Sequence, residues 1–514
     1  MTPPQPTTID RYALIGDFAQ SVRWFIQRSM LPITLLLVGA TGLLFMAGNR
    51  GALAFGFISV GTLLVLWIWR TYGIGLPIVP LIAVQHLLVY GLPIVVNHEV
   101  LSAYPENFVT QAGLEVLIFS VALALGWRFS LGLFQPAMPV SYALHGFRHQ
   151  QGERVKRLGF SLIFIASAYS LAQGTPAFDT LYAVLPAGSY SVLQSIASAA
   201  SVCGFFLVSL FVSAGAVPPV LAVLFWMLLI LDSLIMASGF LLSASTAMLS
   251  SVMIGLFWSR GRMPWRYLAA VGLVLGFLNL GKITMRERHW TEDGENTTPV
   301  SIAQLPARYS EWITVSYAAL NPAPAKSSIR DEQGDAAKPQ GLLDRINNLQ
   351  NLLFVIDALE VGHIAPMHGE TYFVIPPLLV PRIFWPEKPR THEGQVRLNV
   401  HFGRQDLEST IQTYIAWGLL PEACGNFGTK YGGIFLGIVL GLMCAWLENY
   451  TVQKLLLSLE GFVAFTILLG MANSFEMVAS VLVTTIFQSV ILLIVVGALF
   501  VERVQVRRPE KRAR

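Results

Sequence analysis

About a dozen apolar runs, each near the roughly 20 residues that an α-helix needs to cross a hydrocarbon core, constrain this chain more than any other feature. They lie near 30–48, 51–69, 74–96, 109–126, 158–174 and 190–213, then near 217–236, 239–257, 267–281, 432–448, 455–473 and 478–500. In a bilayer every backbone N–H and C=O must be satisfied inside the structure, so runs of this length are expected to be helices. Composition agrees: 54% of the 514 residues are hydrophobic and 12% charged, with a mean hydropathy of +0.59, against roughly 25% charged residues in a soluble domain. The expected fold is an all-α polytopic membrane protein of about 12 transmembrane helices.

Basic residues set the expected orientation. Arg503, Arg507, Arg508, Lys511, Arg512 and Arg514 follow the last run and place the C-terminus inside. Counting back through twelve spans puts three more basic clusters on the same side: Arg11/Arg23/Arg28, Arg128/Arg148/Arg154/Lys156/Arg157 and Arg260/Arg262/Arg266. Met1–Thr8 is polar and proline-rich, without a basic n-region, and reads as part of a cytoplasmic tail rather than a signal peptide. The chain thus divides into a tail (1–29), nine helices (30–281), an extracytoplasmic loop (282–431), three helices (432–500) and a basic cytoplasmic tail (501–514). A net charge of +4, sorted by position, offers no nucleic-acid footprint. Cys203 and Cys444 sit in apolar runs and Cys424 is alone in the loop, so neither a disulfide framework nor a thiolate metal site is expected.

The loop is too long for a connector. Leu342, Ile346, Leu349, Leu353 and Ile356 recur at helical spacing, as do Leu305, Tyr309, Trp312, Ile313 and Tyr317 more weakly, and both predict amphipathic helices. Asn321–Gln340, rich in Ala, Pro, Lys and Asp, reads as a mobile excursion. Thr371–Trp385 is apolar but broken by Pro376, Pro377 and Pro381, which predicts a re-entrant or interfacial segment. From Arg382 to Arg404 there are five basic residues (382, 388, 390, 397, 404) and two acidic ones (387, 393), a local excess of three positive charges. Outward-facing positive charge runs against the usual bias and predicts an anionic partner. Lipid-linked pyrophosphate suits guanidinium and ammonium groups; lipid headgroups or nearby carboxylates are the plainer partners. Glu292, Asp293 and Glu295 read as a solvated run, not a metal cluster. Trp290, Trp312, Tyr372, Phe384, Trp385, Tyr414 and Trp417 are candidates for stacking on sugars, although aromatic residues collect at membrane interfaces anyway.

The stretch Pro381-Arg382-Ile383-Phe384-Trp385-Pro386-Glu387-Lys388-Pro389 resembles the Pro-Arg-x-x-Trp-Pro-(Asp/Glu)-Lys-Pro signature of Wzy-type O-antigen and exopolysaccharide repeat-unit polymerases. Thr410 and Gly418–Gly428 (GLLPEACGNFG) resemble that family's Gly-x-x-x-x-Glu-x-x-x-Asn-Phe-Gly segment, departing from it in the Ala423-Cys424 pair after Glu422. Arg345, opening an apolar helix, and Gly281-Lys282 with Arg286 and Arg288 fit as well. The resemblance covers roughly 280–445 and the overall hydropathy. It implies transfer of a growing glycan from undecaprenyl pyrophosphate onto a new lipid-linked repeat unit at the periplasmic face of a bacterial inner membrane, and the basic-residue bias described above puts both termini on the cytoplasmic side. It implies Arg382, Glu422 and Arg345 as catalytic residues, with Glu422 as base or as a structural partner of Arg382. Arg286, Arg288, Lys388, Trp385, Arg390 and Asn426 are implied in substrate binding. The donor is already activated, so no cofactor or metal is expected; partners would be lipid-linked glycans, membrane lipids and possible chain-length regulator and flippase proteins.

Two alternatives stay open. His86, Glu115, Asp232 and Glu460 fall within apolar runs, and ionisable groups at membrane depth suggest function by default, which keeps a lipid-linked oligosaccharide flippase or transporter in view. An O-antigen ligase would use the same donor, and His363, His368, His392 and His401 all lie in the loop.

Overall fold

The structure, a computed structural model, describes residues 14–144, 153–173, 175, 178, 180, 184, 189–240, 242–260, 264–289, 301–320, 347–380, 385, 387–412, 415–456, 458–472, 477–497 and 501–505. The first helices are α1 (Ile15–Met46), α2 (Ala52–Tyr72), α3 (Ile78–His86) and α4 (Glu106–Leu133). A π turn, Leu87–Gly91, and a last turn, Leu92–Val95, extend α3. Next come α5 (Glu153–Ala172), α6 (Ser189–Ser213), α7 (Pro219–Ala237), α8 (Leu242–Arg260), α9 (Trp265–His289) and α10 (Leu305–Leu320). The remainder holds α11 (Asn348–Glu360), α12 (Glu370–Phe373), α13 (Ile375–Leu379), α14 (Glu393–His401) and α15 (Leu419–Phe427). Last are α16 (Tyr431–Thr451), α17 (Leu459–Ala472) and α18 (Ala479–Gly497).

Eight helices among the described residues are long and apolar enough to cross a membrane: Ile15–Met46, Ala52–Tyr72, Ile78–Val95, Glu106–Leu133, Val155–Ala172, Ile196–Ser213, Pro219–Ala237 and Tyr431–Thr451. Three further apolar runs coincide with shorter helices, Ser245–Phe257, Leu459–Ala472 and Ala479–Ile491. The run at 267–281 is the middle of α9, which continues through Lys282, Arg286 and Arg288. The helix α1 begins at Ile15, well before the apolar stretch, because Asp17 accepts the Leu14 N–H at 3.1 Å and starts the helix within the segment expected as a tail. A small antiparallel ribbon departs from the all-α expectation: β1 (Val140–Leu144) pairs with β2 (Val501–Gln505), Tyr142 opposite Arg503. Both segments carry β-branched valines, which favour strand over helix.

The chain forms two units, residues 1–10 with 146–345 and residues 11–145 with 346–514. The division cuts the long loop, assigning α10 to one unit and α11–α15 to the other. In the smaller unit Ile163, Phe205, Val208, Phe225, Leu229, Met248 and Val252 form one apolar core, and Phe240, Leu278, Met285 and Trp312 centre a second.

The larger unit is built on α4 and α16. Gly433, Gly437 and Gly441 recur every fourth residue, so they share one face of α16. A Cβ at Gly437 would meet Ala122 Cβ and Phe119 O at 2.7 Å, and one at Gly441 would meet the Trp127 N at 2.6 Å. This seam lets two membrane helices approach at backbone distance. Glu448, fully buried near the end of the seam, accepts four hydrogen bonds: from Trp69 and Trp127 Nε1 at 2.9 and 3.0 Å, and from the Ile74 and Gly75 N–H groups at 3.1 Å.

Contacts at the two ends of this unit fall into two separate groups. At one end Leu14 bridges Leu455, and Arg23 donates to the Arg70, Thr71 and Gly73 carbonyls at 2.9–3.2 Å. There too Lys454 donates to Met138 and Val140 carbonyls, and Glu460, in the first turn of α17, accepts the Tyr142 N–H. At the other end Asn49 donates to Ile94 O, Arg50 to Tyr104 O, and Gln111 to Glu360.

Candidate functional site

The GLLPEACGNFG segment folds as α15 because glycine bounds it at both ends. Gly418 (φ 90°) precedes it and Gly428 (φ 81°) follows it, backbone angles that residues with a Cβ rarely adopt. Between them Glu422 and Asn426 stand four residues apart on one face. Glu422 is fully buried. Its Oε1 accepts the Thr371 hydroxyl at 2.7 Å and its Oε2 accepts the Ala479 N–H at 2.6 Å, at the start of α18. Asn426 donates to Thr371 Oγ1 and to Glu422 O, both at 2.9 Å. Burial pushes the Glu422 carboxyl up to about 7, against the opposing pull of the Ala479 and Thr371 hydrogen bonds. Main-chain bonds from Met367 and His368 to Gly425 and Asn426 carbonyls fasten the incoming strand of chain, which reverses at His368 (φ 52°) and Gly369 (φ 88°).

Thr371 opens the segment expected to be re-entrant. It folds as the two short helices α12 and α13, with Pro376 and Pro377 in the first turn of α13, where proline costs no hydrogen bond. The far end of the same segment is held by Lys388, whose Nζ donates to the Leu378 and Val380 carbonyls at 2.7 and 2.6 Å. Lys388 is only 9% exposed, so its ammonium caps a helix end, while Trp385 and Arg390 nearby are exposed. The two motif segments therefore grip opposite ends of one stretch of chain, Thr371–Val380. Arg382 itself, between them, lies outside the described residues, as do Pro381, Ile383, Phe384 and Pro386.

Beside this network stands a second arrangement that the sequence reading did not single out. Arg404 donates to Asn351 Oδ1 at 2.9 Å, and its guanidinium lies 5.0 Å from the Phe354 ring and 5.7 Å from the Trp417 ring. Asn351 donates in turn to Trp417 O, and Trp417 Nε1 donates to Asn399 at 2.6 Å. Among the described residues no carboxylate comes within ion-pair distance of Arg404. Burial pulls its guanidinium below the usual range, with the Tyr104 phenol acting the other way. The only signal in the sequence was its place in the run of five basic residues. The excess positive charge of that run is distributed unevenly: Arg397 pairs with Glu370 at 2.8 Å and Glu393 at 3.2 Å, while Arg404 and the exposed Arg390 are without such partners among the described residues.

The aromatic candidates separate by burial. Trp312 and Trp417 are fully buried with their N–H groups engaged. Tyr372 stacks on Phe427 at 5.8 Å and its hydroxyl is enclosed without a hydrogen bond. Trp385 is 42% exposed; Trp290, Phe384 and Tyr414 lie outside the described residues. Thr410 is buried and donates to Leu407 O.

Arg286 and Arg288 belong to the smaller unit. Arg286 donates through Nε and Nη2 to Phe240 O at 3.2 and 2.9 Å, closing the turn after α7. Arg288 and His289 both reach Glu311, at 3.1 and 2.8 Å, and the His289 hydrogen bond leads in holding the Glu311 carboxyl below its ordinary range. Arg345, the 321–340 excursion, Leu342 and the Glu292–Glu295 run lie outside the described residues. The predicted helices around Leu349–Ile356 and Leu305–Tyr317 are α11 and α10.

No family model, no curated protein and no solved structure matches this chain. The site must therefore be judged on its own chemistry. The larger unit brings together a carboxyl group near neutrality, an uncompensated guanidinium on an aromatic platform, and an exposed tryptophan and arginine beside a lysine-capped helix.

Proposed function

We propose that this chain is an integral-membrane glycosyltransferase that polymerises undecaprenyl-pyrophosphate-linked oligosaccharide repeats into O-antigen or exopolysaccharide at the periplasmic face of a bacterial inner membrane. The observation that supports the reading most directly is the convergence of its two motif segments on Thr371–Val380. In this reading a hydroxyl oxygen of the acceptor repeat forms a bond to the anomeric carbon of the donor glycan. The carbon–oxygen bond to pyrophosphate breaks, undecaprenyl pyrophosphate departs with the electron pair, and the hydroxyl proton passes to a base. Arg382, Arg404 and Arg390 stabilise the departing pyrophosphate, since preorganised cations in a desolvated site act most strongly where charge develops. Lys388 positions the segment rather than the substrate. Glu422 holds the other end of that segment, and it serves as base once Thr371 has moved from its carboxylate.

One observation favours a second reading, transfer of the finished glycan by an O-antigen ligase. His368 is exposed and its N–H donates to Asn426 O at 2.7 Å, which puts an imidazole at the surface of the Glu422 network. The flippase reading gains less, because three of the four ionisable groups that raise it accept hydrogen bonds within the protein: Glu115 from the Lys430 N–H, Asp232 from the Ser167 hydroxyl and Glu460 from the Tyr142 N–H.

The test is a glycan profile from cells lacking the gene, complemented with wild type, Arg382→Ala or Arg404→Ala at matched membrane abundance. Chains that collapse to single repeats in the deletion and in both variants support the polymerase. Long chains that stay on the lipid carrier indicate the ligase, and loss of single repeats from the outer face indicates the flippase.

A further inference from the structure

The regular α3 ends at His86, and the next five residues, Leu87–Gly91, form a π turn. Such a turn widens the helix, weakens its hydrogen bonding and recurs where a helix is adapted to a ligand. Beside it lies a cavity lined on its polar side by Gln85, His86, Tyr90 and Asn348, and otherwise by apolar residues of α3 and its π turn, α4, α15, α16 and α17. It leaves about 20 Å³ to the centre of a water-sized sphere. One water molecule needs about 10–15 Å³ on that measure, and it needs two to four polar partners.

The partners are present. The His86 ring packs on Phe119 at 4.6 Å and Tyr90 at 5.2 Å, and its Nδ1 is enclosed with no hydrogen bond to protein. A neutral imidazole carries one donor and one acceptor, so this ring is left with hydrogen-bonding capacity in an apolar bundle. Tyr90 and Asn348, both buried, line the same cavity, and a phenol and a primary amide each carry donor and acceptor sites.

We propose that this cavity binds a single ordered water that bridges His86 to the Tyr90–Asn348 pair. The water ties the π turn of a membrane helix to the first residue of α11, beneath Leu419 and Leu420 of α15. The space excludes a sugar, a phosphate or a lipid headgroup. The inference is independent of the glycosyltransferase reading, since it rests on the π turn, the cavity and the unmatched imidazole.

X-ray radiolytic labelling of the purified full-length protein in ¹⁸O water tests it, because hydroxyl radicals formed from a bound water oxidise the side chains touching it. His86 and Tyr90 are expected to take up label well above Met248, which is fully buried in the apolar core of the smaller unit. Equal, background labelling of all three residues overturns the proposal. In His86→Phe, which removes the ring nitrogens and fills the space, the Tyr90 label is expected to disappear; label that persists there also overturns it. If His86→Phe does not fold, the comparison of His86 and Tyr90 with Met248 in the wild type decides alone.

Discussion

Glu422 has both carboxylate oxygens committed, Oε1 to the Thr371 hydroxyl and Oε2 to the Ala479 N–H, in a site closed to water. A glutamate ordinarily near 4.5, raised to about 7 by burial, favours the protonated folded state. That contribution to stability is complete below about pH 4.5 and is lost as pH rises through about 7, a loss of at most roughly 3 kcal/mol. The melting temperature of the wild type is therefore expected to fall between about pH 5 and pH 8, and that of Glu422→Gln to fall less. Parallel curves would mean that Glu422 does not titrate in this range. Glu422→Ala removes the acceptors as well and should cost about 2–4 kcal/mol. Arg404 calls for a different substitution. Lysine keeps the charge but cannot stack on Phe354 and Trp417 with a planar fork. Arg404→Lys is expected to slow polymerisation in membranes by about tenfold or more, with the melting temperature unchanged within a few degrees. Full activity would remove Arg404 from the site.

At the scale of elements, the helices of the larger unit were readable and their joints were not. The predicted amphipathic run at 342–356 is α11 from Asn348 onward, because apolar residues at helical spacing need a core on one side whatever that core is. The stretch with three prolines could be read as interrupted, but the lysine that closes it could not, since Lys388 looks in sequence like one more cation for an anionic ligand. Lys388→Met is expected to leave the Leu378 and Val380 carbonyls without their donor. Limited proteolysis should then cut faster between 380 and 390, with cleavage elsewhere unchanged; wild-type resistance would show that the cap is dispensable. Glu448 was overlooked because it ends an apolar run, where a carboxylate reads as a boundary. It is instead the acceptor that joins α2, α4 and α16. The glycines of α16 also become informative only with their neighbours. Gly437→Ala places a methyl group 2.7 Å from Ala122 Cβ and Phe119 O, and overpacking of this kind costs about 1–3 kcal/mol. Gly39→Ala, where a Cβ meets nothing within 4 Å, is the control expected to melt like wild type.

For the whole molecule, the decisive quantity is the number of crossings. The apolar runs alone leave it open, since the adjacent runs over 30–69 and over 217–257 can be miscounted, and the turns that end α1 and α7 settle each only locally. Contacts in the larger unit fall into two separate groups. Leu14, Arg70–Gly75, Val140–Leu144, Leu455 and β2 gather at one end, and Asn49, Asn97, Tyr104, Gln111 and Glu360 gather at the other. What no contact within the protein reports is which end faces the cytoplasm, because that was read from lysine and arginine bias rather than from packing. Three single cysteines report it directly, at positions that are exposed: Glu153→Cys and Arg503→Cys on the expected inner side, and Glu408→Cys in the loop. Cys424 and Cys444 are buried and the half-buried Cys203 is replaced by serine for the background. In intact spheroplasts a membrane-impermeant maleimide is expected to label Glu408→Cys alone, and to label the other two only after the membrane is opened. Labelling of Glu153→Cys without Arg503→Cys in intact cells would require an odd number of crossings between them and so a different helix count. Reversal of all three would put Glu422, Arg404 and the proline-framed segment in the cytoplasm, on the wrong side of the membrane for a polymerase that acts on repeat units already carried across it.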